Sequence, residues 1–302
     1  MPLSQDSLEY MNSNDIICLH RISRLPLDAN AEIFRQYPAF KLGVTSGIRH
    51  YARLLLPLVE TLIANDLEQT EWILTAPAIA AQTPAAANLL CWELFDLYQR
   101  RPARNISKDL SLINIQHDSA AAAPADWKDP SKSQDYAQLD FADRLTERER
   151  SGRRLLSNPD FRGRAILFVN DMCVTGAQQH LMQDYFERAE AACVKWLYII
   201  VVDPEIGRNE PGIEWQINFA PFEDLLRMVS GEQIQFTGKC VQRLMHLSSG
   251  ELEQILQALN EERRSRLLEL ALLNGFQNLD GVREQWDLVR LYGTDRTNSL
   301  QG

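Results

Sequence analysis

The chain has 302 residues, of which 45% are hydrophobic, and it carries a formal net charge of −10. This length and composition suit one large globular domain or two smaller ones. The acidic balance disfavours non-specific binding to nucleic acid, which needs an excess of Lys and Arg to neutralise phosphates, so no nucleic-acid partner is expected.

The scattered cysteines and the N-terminal sequence predict a cytoplasmic protein. The five cysteines form no C-x-x-C pair, which indicates reduced thiols rather than a disulfide framework or a structural zinc site. The first fifteen residues lack the basic and apolar regions of a secretory signal. The most apolar stretch, residues 72–95, is interrupted by prolines and polar side chains, so no membrane association is expected.

The first part of the chain predicts strands that alternate with helices. The strands are expected over residues 15–22, 71–76 and 110–116, the first of them at a sheet edge. A helix is expected over residues 46–65, with Ser46 as its N-cap and Pro57 accommodated as a kink. A second helix is expected to carry Pro84 in its first turn, where a missing N–H costs nothing.

The second part continues this alternation and then becomes entirely helical. An Ala-, Pro- and Ser-rich excursion over residues 117–154 has the length of a functional lid or a disordered segment. The elements after it are a strand over 164–169, a helix over 176–189 and a strand over 194–203. We therefore predict an α/β domain with a parallel sheet over residues 1–220 and a helical C-terminal extension over residues 221–302.

The stretch AILFVNDMCVTGAQQH, residues 165–180, predicts an anion site after a buried strand. Asn170 and Asp171 follow the apolar run, at the strand end where parallel α/β sheets bind ligands. Thr175 and Gly176 then lead into a helix, whose free N–H groups favour a phosphate. A carboxylate beside a phosphate suits sugar hydroxyls or Mg²⁺. The same residues also fit a strand, turn and helix that bind nothing.

The segment ILFVNDMCVTGAQ resembles the signature of the type I phosphoribosyltransferases. The resemblance implies that Asp171 and Asn170 form the catalytic pair, which contacts the ribose hydroxyls of phosphoribosyl pyrophosphate (PRPP). It also implies that Asp171 contacts Mg²⁺ indirectly or by way of these ribose hydroxyls. It assigns the 5′-phosphate to the turn formed by Val174, Thr175, Gly176, Ala177 and Gln178. Asn170 stands in place of the first acid, and Val174 and Gln178 in place of hydroxyl residues. Weaker PRPP binding or altered chemistry is therefore expected.

Two further segments lie where this family binds pyrophosphate. The loop over residues 75–87 takes the place of the pyrophosphate loop, with Thr75 and Ala76 as binding residues, although it lacks the usual Gly and any Lys. The lid is assigned to residues 117–154, from which Arg144 would reach the pyrophosphate. A plainer interpretation of residues 75–87 is an ordinary loop between a strand and a helix. A plainer interpretation of the Arg-rich part of the lid is a solvated helix face with ion pairs.

The segment FKLGVTSGIRHYARLL and the helical tail resemble the ComF-like branch found with bacterial tellurium-resistance and stress-response gene clusters, over residues 35–275. The resemblance implies a Rossmann-like fold. It also implies a Mg²⁺-dependent enzyme that uses or produces PRPP with a nitrogenous base, in the synthesis or salvage of a nucleotide-like metabolite. Two alternatives stay open. One is a non-catalytic PRPP- or nucleotide-binding regulatory module, and the other is a protein whose tail docks a partner or a second copy of the chain.

Overall fold

The computed structural model describes residues 15–27, 32–66, 71–79, 83–101, 109–116, 155, 159–231 and 233–294. Its strands are β1 (Ile16–Ile22), β2 (Glu71–Thr75), β3 (Asp109–Leu112), β4 (Ala165–Cys173) and β5 (Cys193–Val202). The helices before β4 are α1 (Glu32–Arg35), α2 (Tyr37–Leu42), α3 (Thr45–Asn65) and α4 (Ala86–Gln99). The helices after β4 are α5 (Ala177–Arg188), α6 (Pro204–Asn209), α7 (Ile213–Asn218), α8 (Phe222–Gly231), α9 (Gly238–Met245), α10 (Ser249–Ala258), α11 (Glu261–Leu273) and α12 (Arg283–Gly293).

The five strands form one parallel sheet in the order β1-β5-β4-β2-β3. This confirms the predicted α/β class with a parallel sheet, and the architecture is consistent with a Rossmann-like fold. β1 lies at the sheet edge beside β5, as predicted. The strands β4 and β5 are the longest, and eight pairs of residues join them between Ala165 and Cys173 of β4.

The adjacent strands β2 and β4 form the point where the topology changes direction. After β2 the chain continues through α4 to β3 on one side, whereas after β4 it continues through α5 to β5 on the other. Helix connections that diverge in this way open a crevice beyond the carboxyl ends of the two strands, which is where parallel α/β sheets bind ligands.

Alternating side chains give the sheet two buried apolar faces. On β4, Leu167 and Val169 face the core formed with α3 and α4. Ile166 and Phe168 face a second core, which is completed by α5. All nine residues of β4 are buried, as expected for a central strand covered on both faces. The residues at its carboxyl end are therefore held on a rigid element.

The observed strand ends differ from the predicted ones in two places. β4 continues to Cys173 rather than ending at residue 169, because β5 pairs with it as far as Val201. Asn170 and Asp171 consequently lie within the last four residues of the strand and not after it. β3 ends at Leu112 rather than at residue 116, because its only partner strand among the described residues is β2, which itself ends at Thr75.

Two predicted helix starts are also corrected. α3 begins at Thr45 after Val44, without a side-chain cap, so Ser46 is not its N-cap. The Thr45 N–H instead donates to the Gln233 carbonyl at 2.9 Å, which fixes the backbone at this point. α4 begins at Ala86, two residues after Pro84.

The helices from α8 to α12 confirm the predicted helical tail and form a third apolar core. Leu42 and Val44, from the end of α2 and the residues after it, belong to the same core. Strand-like pairing of Val44 with Ile234 adds a backbone connection between the two parts of the chain. The division at residue 220 stays a prediction. Among the described residues, no helix is both long and apolar enough to cross a membrane.

Candidate functional site

A cavity of about 420 Å³ lies beyond the carboxyl ends of β2 and β4, in the crevice where the topology changes direction. All of residues 170–179 line it, together with Pro77, Ala78 and residues 83–87, from the loop after β2 and the first turn of α4. The cavity therefore brings together the signature residues Asn170, Asp171, Val174, Thr175, Gly176, Ala177 and Gln178. Its remaining walls come from α2, β5, α7 and the helical tail.

The turn between β4 and α5 has the geometry of an anion site. Gly176 adopts a left-handed conformation with φ of +77°, which a side chain would strain, and α5 begins directly after it. The first N–H groups of a helix have no partner within the helix, and they carry its positive dipole end. The Thr175 hydroxyl accepts from the Ala177 N–H at 3.5 Å. Donors at the start of α5 thus line the cavity.

Asn170 is joined to the same turn by its side chain. Its Nδ2 donates a hydrogen bond to Oε1 of Gln178 at 3.1 Å, and Asn170 is buried. The two residues that depart from the family pattern at these positions therefore contact each other. This contact holds the end of β4 against the first turn of α5.

Asp171 is almost completely buried and belongs to an ionic cluster from three elements. Its Oδ1 accepts from the Met172 N–H at 2.9 Å, and its Oδ2 accepts from Nζ of Lys41 in α2. Lys41 also donates to Oε1 of Glu214 in α7, at 3.3 Å. Burial lowers the pKa of Lys41, but the two carboxylates outweigh this effect and raise it overall. Lys41 is therefore an ammonium that two carboxylates share.

Tyr37, one turn before Lys41 in α2, is buried beside this cluster. Burial raises the pKa of its hydroxyl well above the ordinary value, and the negative charges of Asp171 and Glu214 raise it further. Sequence reasoning did not identify Tyr37, Lys41 or Glu214 as site residues. The available signal was a single Lys inside the apolar segment YPAFKLGV, since a buried lysine requires an acidic partner.

The structure does not bring every predicted residue to the cavity. Thr75 and Ala76 are buried at the end of β2 and do not line it, whereas Pro77 and Ala78 do. Arg144 and the whole lid over residues 117–154 lie outside the described residues.

The helical tail closes one side of the cavity through Gly238, Lys239, Gln242 and Asn274. Asn274 donates from Nδ2 to the Thr83 hydroxyl at 2.8 Å, and both residues are buried. The Gly238 N–H donates to the Pro84 carbonyl at 3.1 Å. These two contacts connect the start of α9 and the residue after α11 to the loop before α4. As a result, the first turns of α4, α5 and α9 line one cavity.

Helix α6 supports the signature turn from behind through a close backbone contact. A Cβ atom placed on Gly207 would lie 2.1 Å from the carbonyl oxygen of Val174. Only glycine permits this approach. The segment after β5 thereby helps to fix the turn that lines the cavity.

Comparisons with known proteins do not identify a family. No family model matches the sequence, and no curated protein matches it significantly. Within the described part of the chain, no group of three or more His, Cys, Asp or Glu side chains is arranged to hold a metal ion.

Proposed function

We propose that this cavity binds the phosphorylated pentose of PRPP, and that the chain is a type I phosphoribosyltransferase of the ComF-like kind. The observation that carries the proposal is the arrangement of residues 170–178. Their buried carboxylate, left-handed glycine and helix start all line one cavity at the point where the sheet topology changes direction.

The 5′-phosphate fits the first turn of α5. A phosphate there would accept hydrogen bonds from the N–H groups that the helix leaves without internal partners, and Gly176 admits it close to the backbone. The Thr175 hydroxyl, now bonded to Ala177, is placed to add a donor. This accounts for a phosphate site that has lost two of the usual hydroxyl side chains.

The ribose hydroxyls fit Asp171 and Asn170. The Asp171 carboxylate accepts from Lys41 and from the Met172 N–H, and the Tyr37 hydroxyl lies against it. A carboxylate has about four lone pairs, so it can still accept from a ribose hydroxyl. Hydroxyl groups bonded to a charged carboxylate contribute more binding energy than those bonded to neutral groups. Asp171 is therefore the main ribose contact in this proposal, and the Asn170 amide assists it.

The pyrophosphate of PRPP fits the opposite wall, where the first turns of α4 and α9 meet. The loop before α4 contains no Lys or Arg between residues 75 and 87. Lys239, in the first turn of α9, lines the cavity and would supply the missing positive charge. The helical tail would then be part of the ligand site. Its role as a docking surface also stays a prediction.

The proposed reaction needs positioning and charge stabilisation more than a strong base. The bond between ribose C1 and the pyrophosphate oxygen breaks, and the acceptor nitrogen forms its bond to C1. The pyrophosphate leaves with the electron pair and takes up the proton that the nitrogen releases. Preorganised donors around the departing oxygens lower the barrier to such a step.

A direct contact of Asp171 with Mg²⁺ does not suit the observed cluster, whereas the indirect contact through ribose hydroxyls stays a prediction. The Lys41 ammonium lies against Oδ2 of Asp171, and a backbone N–H lies against Oδ1. A cation on this carboxylate would face the positive charge of Lys41 at close range. No step of the reaction is therefore assigned to a metal held by Asp171.

The same cluster favours a second candidate function, a regulatory module that binds PRPP or a nucleotide without turnover. The Asp171 carboxylate is already paired with the Lys41 ammonium, and the Asn170 amide is already bonded to Gln178. The ion pair and the hydrogen bond both preserve the shape of a binding site. The ion pair also reduces the negative charge that Asp171 can offer to a reacting ribose.

Pyrophosphate release separates the two candidates. The full chain is incubated with PRPP and a panel of purine, pyrimidine and pyridine bases, and pyrophosphate is measured. Release with one base, lost in Asp171→Asn but kept in Asp203→Asn, supports the transferase. Asp203 is a matched control because it lies just after β5 and pairs with Arg21 at 3.4 Å. PRPP binding without release for any base supports the regulatory module.

A further inference from the structure

We infer that Lys41 takes the place of a divalent cation in this site, so that the pentose phosphate binds without a metal ion on Asp171. This inference rests on the proposed function, because it concerns how the same cavity holds its ligand. It departs from the Mg²⁺ dependence that the sequence resemblance implies.

The first argument is the position of the ammonium between two carboxylates. Lys41 contacts Asp171 and Glu214, and the three side chains are 15%, 12% and 13% exposed. A Mg²⁺ ion in a protein binds through one or two carboxylates together with water or phosphate oxygens. Two carboxylates that converge beside a phosphate site would suit such an ion. Here the ammonium of Lys41 fills the position between them.

The second argument is that the fold holds Lys41 in place. The Lys41 carbonyl accepts from the Thr237 hydroxyl at 2.8 Å, so the tail fixes the backbone of this residue. Gly43, directly after α2, adopts φ of +90°, and a Cβ atom there would lie 2.0 Å from the Gln235 carbonyl oxygen. α2 is thus fixed against the tail, and the ammonium is already in position when a ligand arrives.

The third argument is hydrogen-bonding capacity. The Lys41 ammonium has three N–H donors, and the carboxylates of Asp171 and Glu214 accept hydrogen bonds from two of them. One donor is left for an oxygen of the ligand, either a ribose hydroxyl or a phosphate oxygen. A bound divalent ion would also supply positive charge at this position, but only at a sufficient metal concentration. The lysine supplies it permanently.

The first test uses Mn²⁺ alone and needs no organic ligand. Mn²⁺ binding is measured by electron paramagnetic resonance for the wild-type chain, Lys41→Met and Lys195→Met. Lys195 is a matched control because it pairs with Asp15, at the opposite end of the sheet. We expect Mn²⁺ to bind only to Lys41→Met, in which the two carboxylates lose their shared cation. A wild-type Mn²⁺ site that disappears in Asp171→Asn would overturn the inference.

The second test uses ribose 5-phosphate, which lacks the metal-chelating pyrophosphate. In calorimetric titrations of the wild-type chain, we expect affinities with Mg²⁺ and with EDTA to agree within about twofold. In EDTA, Lys41→Met should bind about tenfold more weakly or worse, because a charged hydrogen bond is lost. A wild-type affinity that rises about tenfold with Mg²⁺ would overturn the inference.

The two tests also separate the inference from the proposed function. If ribose 5-phosphate does not bind in either buffer, the proposed pentose phosphate site is wrong, while the Mn²⁺ measurement still decides the role of Lys41. If Lys41→Met does not fold, Lys41→Gln replaces it, because its amide can still donate to both carboxylates. The wild-type measurements can overturn the inference without either variant.

Discussion

Asn170 at the end of β4 donates a hydrogen bond to Gln178 in the first turn of α5, over 3.1 Å. Both residues stand where the phosphoribosyltransferase signature usually has other side chains. Because the two side chains contact each other, the departures form one structural unit rather than two separate losses. The hydrogen bond holds the end of β4 against the start of α5, and the turn between them lines the cavity.

We expect Asn170→Ala and Gln178→Ala each to lower the free energy of unfolding by about 1–2 kcal/mol, because each leaves the other amide without its partner. The double variant should lose less than the sum, with a coupling of about 0.5–1.5 kcal/mol. Urea denaturation of the four proteins measures this. Gln183→Ala is the control, because its bond to Glu187 lies on the exposed face of α5. Strict additivity would contradict the proposed coupling.

Gly207→Ala should damage the signature turn from outside the cavity. The new Cβ would lie 2.1 Å from the Val174 carbonyl oxygen, so α6 or the turn must move. Overpacking of this kind costs about 1–3 kcal/mol of stability, and ribose 5-phosphate affinity should fall with it. Gly212→Ala, five residues later, is a matched control, since no heavy atom of a non-adjacent residue lies within 4 Å of its Cβ position. Equal behaviour of the two variants, by thermal unfolding and titration, would show that the contact is unimportant.

Asn274→Ala should loosen the tail from the cavity wall. Asn274 bonds to the Thr83 hydroxyl and to the Leu270 carbonyl, and the site is buried, so the loss is expected to cost about 1–3 kcal/mol. Ligand affinity should fall as well, because the first turns of α4 and α9 are no longer held together. The control is Asn278→Ala, an exposed asparagine four residues later. A normal ligand affinity in a clearly destabilised Asn274→Ala would remove the tail from the proposed site.

Alkaline pH should destabilise the fold. The pKa values of Tyr37 and Tyr198 are raised well above the ordinary value, chiefly by burial. The pKa of Lys41 is also raised, since its two carboxylates outweigh the opposing effect of burial. All three groups bind their protons more tightly when folded. The stability that this contributes is therefore fully present at neutral pH, and the free energy of unfolding falls as pH rises above about 10.

Urea denaturation between about pH 7 and pH 11, with tyrosinate absorbance recorded in parallel, tests this expectation. Tyr37 and Tyr198 should ionise only as the chain unfolds. Ionisation of both near pH 10 in a chain that stays folded would contradict the burial of the cluster.

The sequence predicts much of the fold because its signals are local. The apolar run from Ala165 to Val169 and the alternation of strands with helices indicate the parallel sheet, and the left-handed turn follows from Gly176. The end of β4 could not be predicted in the same way. It depends on pairing with β5, whose residues lie about 30 positions away in the chain.

The ionic cluster was missed for a similar reason. Lys41 meets Asp171 across 130 positions and Glu214 across 173, and no local pattern reports such contacts. The contact of Asn274 with Thr83, across 191 positions, is likewise not signalled by any local pattern. The sequence therefore leaves a docking role for the tail as one alternative and does not indicate that the tail forms a cavity wall. An isolated polar residue in an apolar segment is the signal that sequence reasoning can use, and Lys41 provides one.

A calorimetric titration with PRPP tests the central claim most directly. The wild-type chain, Asp171→Asn and the control Asp203→Asn are compared. Asparagine is chosen at position 171 because it keeps the shape of the side chain beside Lys41. We predict one saturable site in the wild type and in Asp203→Asn, and a loss of affinity of about tenfold or more in Asp171→Asn. No binding of PRPP by the folded wild-type chain, or equal affinity in all three proteins, would contradict the assignment of this cavity to a phosphorylated pentose.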